Sequence, residues 1–285
     1  MQACPICSSV FGKIYTFFGA HAYWRCDNCR LVFLERSVSL SPEVSYDLSY
    51  LQARGDAVTE GEVFKAKEAT AEHYLSILER YSDRGNLLDL GCSTGAFLKC
   101  AKKRGWRVYG LDVNEPAVAV ARQCLNSEDI RAGCLDDLKF PDNFFSVIVM
   151  LDVLEHINEP AGLMRILHKK LKSDGLLFFV TPNVDSMSSK ILKNKWPQLF
   201  LLHVCLYGPT SMEFLLEKNH FSVIKTGWAK KFMCANMMRR HLLCCPNIIF
   251  SKAMAAFFKR ISFLNRLIFP FNIGQFYVIA QKKTG

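Results

Sequence analysis

The sequence lacks a hydrophobic run long enough to cross a membrane. Lys or Arg interrupts every apolar stretch of the C-terminal third before the ~18 to 20 residues that a spanning helix needs. No secretory leader is expected, since Met1-Gln2-Ala3-Cys4-Pro5 is not a basic segment followed by an apolar one. The 12 cysteines are therefore read as thiols of a reducing compartment rather than as a disulfide framework, and the expected location is cytoplasmic. No internal repeat or low-complexity tract is present. Nor is there a Gly-x-Gly-x-x-Gly run, the arrangement that admits a pyrophosphate, which argues against a nicotinamide-dependent oxidoreductase.

What is present suits a packed globular protein. Half of the 285 residues are hydrophobic and 22 are Phe, and the length fits one full-sized domain plus a small module. The formal charge of +10 is compatible with nucleic acid, an anionic membrane surface or an acidic substrate, and does not choose among them. Basic residues gather at 99–107, 169–172, 190–195, 230–240 and 252–266. The first two groups sit near predicted helix ends, where cations complement the macrodipole.

Cys4-Pro5-Ile6-Cys7 and Cys26-Asp27-Asn28-Cys29 form two Cys-x-x-Cys pairs with 18 residues between them, the spacing of a tetrahedral four-thiolate zinc site. Two intervening residues let a tight turn aim both sulfurs at one ion. The segment between, with Phe11, Ile14, Tyr15, Phe17, Tyr23 and Trp24, reads as short strands of a zinc ribbon over residues 1–40. A module this small buries too little surface alone, so the metal is expected to supply folding free energy. With four thiolate ligands the site is closed, hence structural rather than catalytic.

After a linker and a helix over 41–85, strands and helices alternate: strands at 87–90, 108–111, 146–151 and 176–181, helices at 96–104, 115–124 and 161–171. That alternation predicts a parallel sheet covered on both faces. The first strand ends in Asp89-Leu90-Gly91-Cys92-Ser93-Thr94-Gly95, a small-residue turn that lets a ligand approach the backbone and opens onto a helix N-terminus. The second strand ends in Asp112, whose carboxylate is placed to accept hydrogen bonds from two adjacent ribose hydroxyls. Together the turn and Asp112 point to a nucleoside ligand beyond the carboxyl ends of the strands.

The run from Leu87 to Leu98 resembles the first motif of class I S-adenosylmethionine-dependent methyltransferases. The likeness continues through Gly110-Leu111-Asp112, Gly133-Cys134-Leu135-Asp136-Asp137, Phe144 to Ile157 and Val180 to Asn183, covering roughly residues 60 to 230. It implies an α/β, Rossmann-like fold over 86–285 with a seven-stranded, mostly parallel sheet. It further implies cofactor contacts from Asp89, Gly91, Cys92, Gly95, Asp112, Leu135, Asp136 and Leu151. The ribbon running into Leu31-Val32-Phe33-Leu34 and then Tyr46 and Tyr50 is similar to a subgroup often found with methylation of small molecules, sugars or polysaccharides. Ser93 stands where the family often has glycine, and Cys134 where an acidic residue is frequent.

Methyl transfer from a sulfonium is an in-line displacement, so catalysis is mostly alignment and exclusion of water, with a base needed for a hydroxyl acceptor. The candidate bases are His156 and His203, accompanied by Asp152, Glu155 and Tyr207. Asp152, Glu155 and His156 would share one face if their segment turns helical, and Asp152 with Glu155 has capping-box spacing. Similarity to methyltransferases with a Glu-x-x-Glu-His metal site, seen in quinone O-methylation and small-RNA end methylation, adds an alternative in which Asp152, Glu155, His156 and His203 hold a divalent cation. Thr181-Pro182-Asn183 is not the Asn-Pro-Pro-Tyr type that holds a planar amine, so oxygen or carbon acceptors are expected over nucleobase nitrogen.

Between strands at 221–228 and 276–281, residues 232–273 form an insertion. Phe250, Ala253, Met254, Phe257, Phe258, Ile261 and Leu264 follow helical spacing, with Lys252, Lys259 and Arg266 opposite. Packing on the domain, a substrate lid or dimer contact, and peripheral membrane association through 246–270 all fit that pattern. The expected function is S-adenosylmethionine-dependent O-methylation of a small molecule, sugar or lipid-linked acceptor. An RNA methyltransferase that binds RNA through the ribbon and a catalytically silent interaction protein are the alternatives.

Overall fold

The computed structural model describes residues 3–35, 61–134, 140–243, 256–257, 260, 267–272 and 274–283. Tyr46, Tyr50, Leu135, Asp136 and most of the 246–270 pattern lie outside the described residues.

The N-terminal module is a hairpin of β1 (Gly12–Phe18) and β2 (His21–Cys26) followed by β3 (Val32–Leu34). Helix α1 (Gly61–Leu78) buries Val63, Phe64, Ala66, Ala71, Tyr74, Leu75 and Leu78 along one stripe, as its sequence period requires. The alternating series then runs β4 (Asn86–Leu90), α2 (Ala96–Lys103), β5 (Arg107–Asp112), α3 (Glu115–Leu125), β6 (Ile130–Ala132), β7 (Phe145–Leu151), α4 (Pro160–Lys170) and β8 (Leu171–Pro182). Lys102 and Lys103 fall in the last turn of α2, and Lys169 and Lys170 in that of α4, complementing both helix dipoles. The rest comprises α5 (Met187–Leu192), β9 (Cys205–Leu206), α6 (Pro209–Lys218), β10 (Phe221–Trp228), β11 (Lys231–Met233), α7 (Ala235–Leu243), β12 (Phe269–Phe271) and β13 (Gln275–Lys282).

Seven strands form the main sheet in the order β10-β13-β8-β7-β4-β5-β6. β8, β7, β4, β5 and β6 run parallel, and β13 enters antiparallel between β8 and β10. The expected mostly parallel, Rossmann-like sheet is therefore present. Its central strands are apolar throughout because both faces are covered: Val147, Ile148, Val149, Leu177, Phe178, Phe179 and Val180 are fully buried. The switch point, where the strand order reverses, lies between β4 and β7, at whose carboxyl ends ligands of such sheets bind.

The ribbon is fused to this body rather than tethered to it. β3 pairs with β9, Val32 opposite Leu206 and Phe33 opposite Cys205, so a strand from the C-terminal half completes the ribbon's sheet. Ile6, Leu31 and Phe33 share a core with Met212, Leu215 and Leu216 of α6. β11 and β12 pair at the base of the insertion, Lys231 opposite Phe271 and Met233 opposite Phe269.

Candidate active site

The first part of the site is a backbone cradle. Between β4 and α2, Gly91, Ser93 and Gly95 all take positive φ, at 78°, 47° and 79°. A Cβ on Gly91 would lie 2.4 Å from Val153 Cγ2, and one on Gly95 would lie 2.7 Å from Leu125 Cδ1, so both sites need glycine for space as well as for conformation. Ser93 bears the strain of the left-handed region where glycine would not, and the Asp112 carboxylate holds it there.

Asp112 ends β5 with Oδ2 accepting from Ser93 N at 2.8 Å and Oδ1 accepting from Asn114 N at 2.9 Å. Asn114 in turn caps α3, its side chain accepting from Ala117 N at 2.8 Å. The carboxylate therefore orders the turn and the next helix start. Each oxygen keeps a lone pair for a further donor. Burial pushes the Asp112 carboxyl above its usual range. Burial, and then the Asp112 charge, raises Asp89 well above its own.

These residues fit a polar nucleoside-type ligand. Asp89 Oδ1 and Ser93 Oγ are buried with no hydrogen-bond partner among the described residues, an unfavourable state that a donor-bearing ligand removes. Cys92 is buried and its Sγ would lie 2.9 Å from a Cβ on Gly110, so its side chain fills the floor of the turn. Leu151 is half-buried at the end of β7.

The second part follows β7. Asp152 has φ 58°, and Leu154–His156 is a single 3-10 turn whose N-cap, Val153, offers no side-chain cap. The capping-box spacing of Asp152 and Glu155 is thus not realised. Asp152 turns to the other side, where Lys231 Nζ donates to Oδ2 and Gln275 Nε2 donates to Oδ1 at 2.5 Å. Glu155 and His156 instead meet His203, with one ligand atom from each within 4.8 Å of the others. Asp152 stands outside this set, so the expected four-residue group is a group of three.

Backbone contacts fix both imidazoles. His156 Nδ1 lies 2.7 Å from Leu202 O and His203 Nδ1 lies 2.7 Å from Gln198 O. A carbonyl only accepts, so each Nδ1 carries a hydrogen, and Nε2 is the nitrogen through which a neutral ring would ligate an ion. The rings are 4.8 Å apart at 67°, and the Phe200 ring lies 4.0 Å from that of His203. Glu155 is fully buried; Thr181 Oγ1 donates to its Oε2 at 2.9 Å, while Oε1 has no hydrogen bond among the described residues. Burial first, then the Asp152 charge, pushes the Glu155 carboxyl up to about 8. Tyr207 is buried in the core beside this group, and burial raises its phenol well above the usual range.

The two parts touch. Val153, which excludes any side chain at Gly91, separates Asp152 from the Glu155 turn. Lys231 and Gln275 were invisible as site residues in the sequence, because they meet Asp152 across 79 and 123 residues with no local signature; Thr181 stood out only as part of the Thr181-Pro182-Asn183 run, not as the partner of Glu155 26 residues away.

The four ribbon cysteines also converge within 4.8 Å, with Cys4 Sγ and Cys29 Sγ at 3.5 Å and Cys7 Sγ and Cys26 Sγ at 3.5 Å. A tetrahedron of ~2.3 Å Zn–S bonds has sulfur edges of roughly 3.8 Å, so the cluster is compatible with zinc.

Comparison with known proteins identifies the family. Residues 65–226 match a family described as "Methyltransferase domain". A ubiquinone biosynthesis O-methyltransferase of Pseudomonas syringae pv. tomato is 33% identical over 112 residues, covering 35% of this chain and 48% of that protein. One from Neisseria meningitidis serogroup A is 33% identical over 109 residues, covering 36% and 46%. The chain thus spans about half the length of these curated relatives. Among solved structures, a SAM-dependent methyltransferase from Archaeoglobus fulgidus superposes with a TM-score of 0.55 at 19% identity, over 83% of this chain and all of that one. SAM-dependent methyltransferases from Methanosarcina mazei give 0.52 at 16% identity, over 73% and 98%. At these identities the structural likeness shows the fold.

Proposed function

The chain belongs to the methyltransferase domain family, and we propose that it is a class I S-adenosylmethionine-dependent enzyme that methylates a hydroxyl of a small molecule, with sugars and lipid-linked acceptors included. The observation that carries this reading is the meeting of Glu155, His156 and His203 next to the cradle. A hydroxyl must lose a proton as it attacks a sulfonium methyl, and a base or cation at the acceptor oxygen assists that loss.

The cradle residues Gly91, Cys92 and Gly95, with Asp89 and Asp112, would bind the adenosyl and amino-acid parts of the methyl donor. Leu151 would line the same crevice. The donor, when bound, supplies the electrophilic methyl group.

Glu155 Oε1, His156 Nε2 and His203 Nε2 would hold a divalent cation, which when bound lowers the pKa of an acceptor oxygen. The donor set supports an ion over a simple base. Both histidines have their Nδ1 protons tied to carbonyls, the outer-shell pattern of metal-ligating imidazoles, and the buried Glu155 carboxylate lacks any donor at Oε1 among the described residues. Thr181 orients that carboxylate, and the buried walls around it exclude water from the acceptor oxygen. Tyr207 would support the group from below.

The four-cysteine cluster would hold a structural zinc, with domain limits near residues 40 and 85. An RNA-binding ribbon would have to use its outer face, since the inner face packs on β9 and α6.

The test is transfer of labelled methyl from S-adenosylmethionine to a panel of phenols, sugars and polyprenyl-linked sugars, with and without Mn²⁺. Ion-dependent labelling of a hydroxyl supports the proposal. Labelling of RNA that falls steeply with salt, or of no hydroxyl, rejects it.

A further inference from the structure

The ribbon packs on α6 and along residues 183 to 207, and the latter segment carries His203 and the Leu202 carbonyl that orients His156. Tyr23 of β2 is the centre of that contact. It has no exposed surface, and its hydroxyl donates to Phe200 O at 2.8 Å, with His203 O also in reach at 3.1 Å. Phe200 O is the acceptor that closes the turn, taking His203 N at 2.9 Å. A single phenol thus grips both ends of the turn that presents His203.

Three further ties hold the same segment to the ribbon. Leu34 N donates to Val204 O at 2.9 Å, continuing the β3–β9 ladder by one rung. Arg25 pairs with Asp185, whose backbone N donates to the Asn183 side chain at 2.9 Å. Tyr23, Val32 and Leu34 form one buried cluster with Val184, Trp196, Leu199 and Leu206. The turn from Gln198 to His203 contributes one histidine ring and two histidine-orienting carbonyls, Gln198 O and Leu202 O, and the ribbon braces it from outside.

We infer that the zinc ribbon is the outer wall of the acceptor-side site, with Tyr23 as a positioning residue that sets His203 for ion binding. The inference rests on the reading of Glu155, His156 and His203 as a divalent-ion site. It assigns the ribbon a part in the chemistry of this chain without any contact to the acceptor.

The experiment uses the full chain with its zinc in place and compares Tyr23→Phe with Lys218→Gln. Lys218 Nζ donates to Ile6 O at 2.9 Å, so the second variant loosens the ribbon at its far edge without touching the turn. Mn²⁺ affinity is read by the electron paramagnetic resonance of the free ion, and S-adenosylhomocysteine affinity by calorimetry. Loss of one buried hydrogen bond that holds a ligand is expected to weaken Mn²⁺ about five- to tenfold in Tyr23→Phe. Lys218→Gln should lower thermal stability alone, and both variants should bind S-adenosylhomocysteine as the parent does. Amide exchange at His203 supplies a readout that needs no ion: it should quicken in Tyr23→Phe and stay unchanged in Lys218→Gln. Equal Mn²⁺ affinity and equal exchange in the two variants would overturn the positioning role. A parent that binds no Mn²⁺ would overturn the ion reading instead, and the exchange comparison would still decide whether Tyr23 holds the turn.

Discussion

His203 Nε2 lies 3.9 Å from Glu155 Oε1, a separation too long for a hydrogen bond and short enough for one ion to bridge with bonds of ~2.0 to 2.2 Å. With Thr181 already serving Oε2, Glu155 is a buried carboxylate half of whose acceptor capacity is aimed at two imidazole rings. Without an ion, burial favours the protonated carboxyl, and a cation competes with that proton for the same oxygen. Glu155→Gln is therefore expected to reduce Mn²⁺ affinity by two orders of magnitude or more while raising thermal stability slightly. Calorimetric Mn²⁺ titration and a melting curve check both parts, and a Glu155→Gln variant that bound Mn²⁺ normally would remove Glu155 from the ligand set.

Asp112 has a structural part beside its proposed ribose role. Because it accepts from Ser93 N and Asn114 N, Asp112→Ala should cost ~1 to 3 kcal/mol of stability as well as cofactor affinity. Asp112→Asn keeps the shape but turns one acceptor into a donor. It is expected to weaken S-adenosylhomocysteine binding at least tenfold with a smaller stability loss. Calorimetric titration of that variant checks the ribose role, and normal affinity would refute it.

The alternation of strands and helices was legible because each element carries its own local pattern: apolar runs at β4, β7 and β8, helical stripes at α1 and α3; the order of the strands was not, since pairing joins residues far apart in sequence. The glycine turn and Asp112 were legible for the same reason, the chemistry being written in adjacent residues. The direction of Asp152 was not. Its neighbours in sequence suggest a cap or a fourth ligand, but Lys231 and Gln275, brought by β11 and β13, capture its carboxylate. Likewise, nothing near Tyr23 in the sequence announces the turn at Phe200, and the two-residue strand β9 is too short to leave a periodic trace.

Gly91 and Val153 give a paired test of how the cradle and the acceptor turn fit. Gly91→Ala places a methyl 2.4 Å from Val153 Cγ2 in a backbone conformation that already disfavours alanine. The steric part should be relieved by Val153→Ala, while the conformational part, ~1 to 2 kcal/mol, should remain. S-adenosylhomocysteine binding is expected to fall strongly in Gly91→Ala and to recover in part in the double variant. A double variant no better than the single one would show that the two loops do not press on each other there.

Glu79 offers a check on pH dependence away from the site. Its carboxylate joins α1 to α2, taking Arg104 Nη2 at 2.5 Å and Trp106 Nε1 at 3.0 Å. Arg104, then Trp106 and Arg84 as further donors, hold it at about 2 against the opposing effect of burial. A carboxyl depressed in the folded state stabilises fully above its unfolded pKa of ~4.3 and loses that contribution as pH falls toward ~2. Glu79→Gln should therefore lower the melting temperature near pH 7 by a few degrees, corresponding to ~1 to 2 kcal/mol for charge-assisted bonds of this kind. The gap between variant and parent should narrow progressively from about pH 5 downward. A gap that stayed constant over that range would mean that the Arg104 contact contributes through packing alone and not through charge.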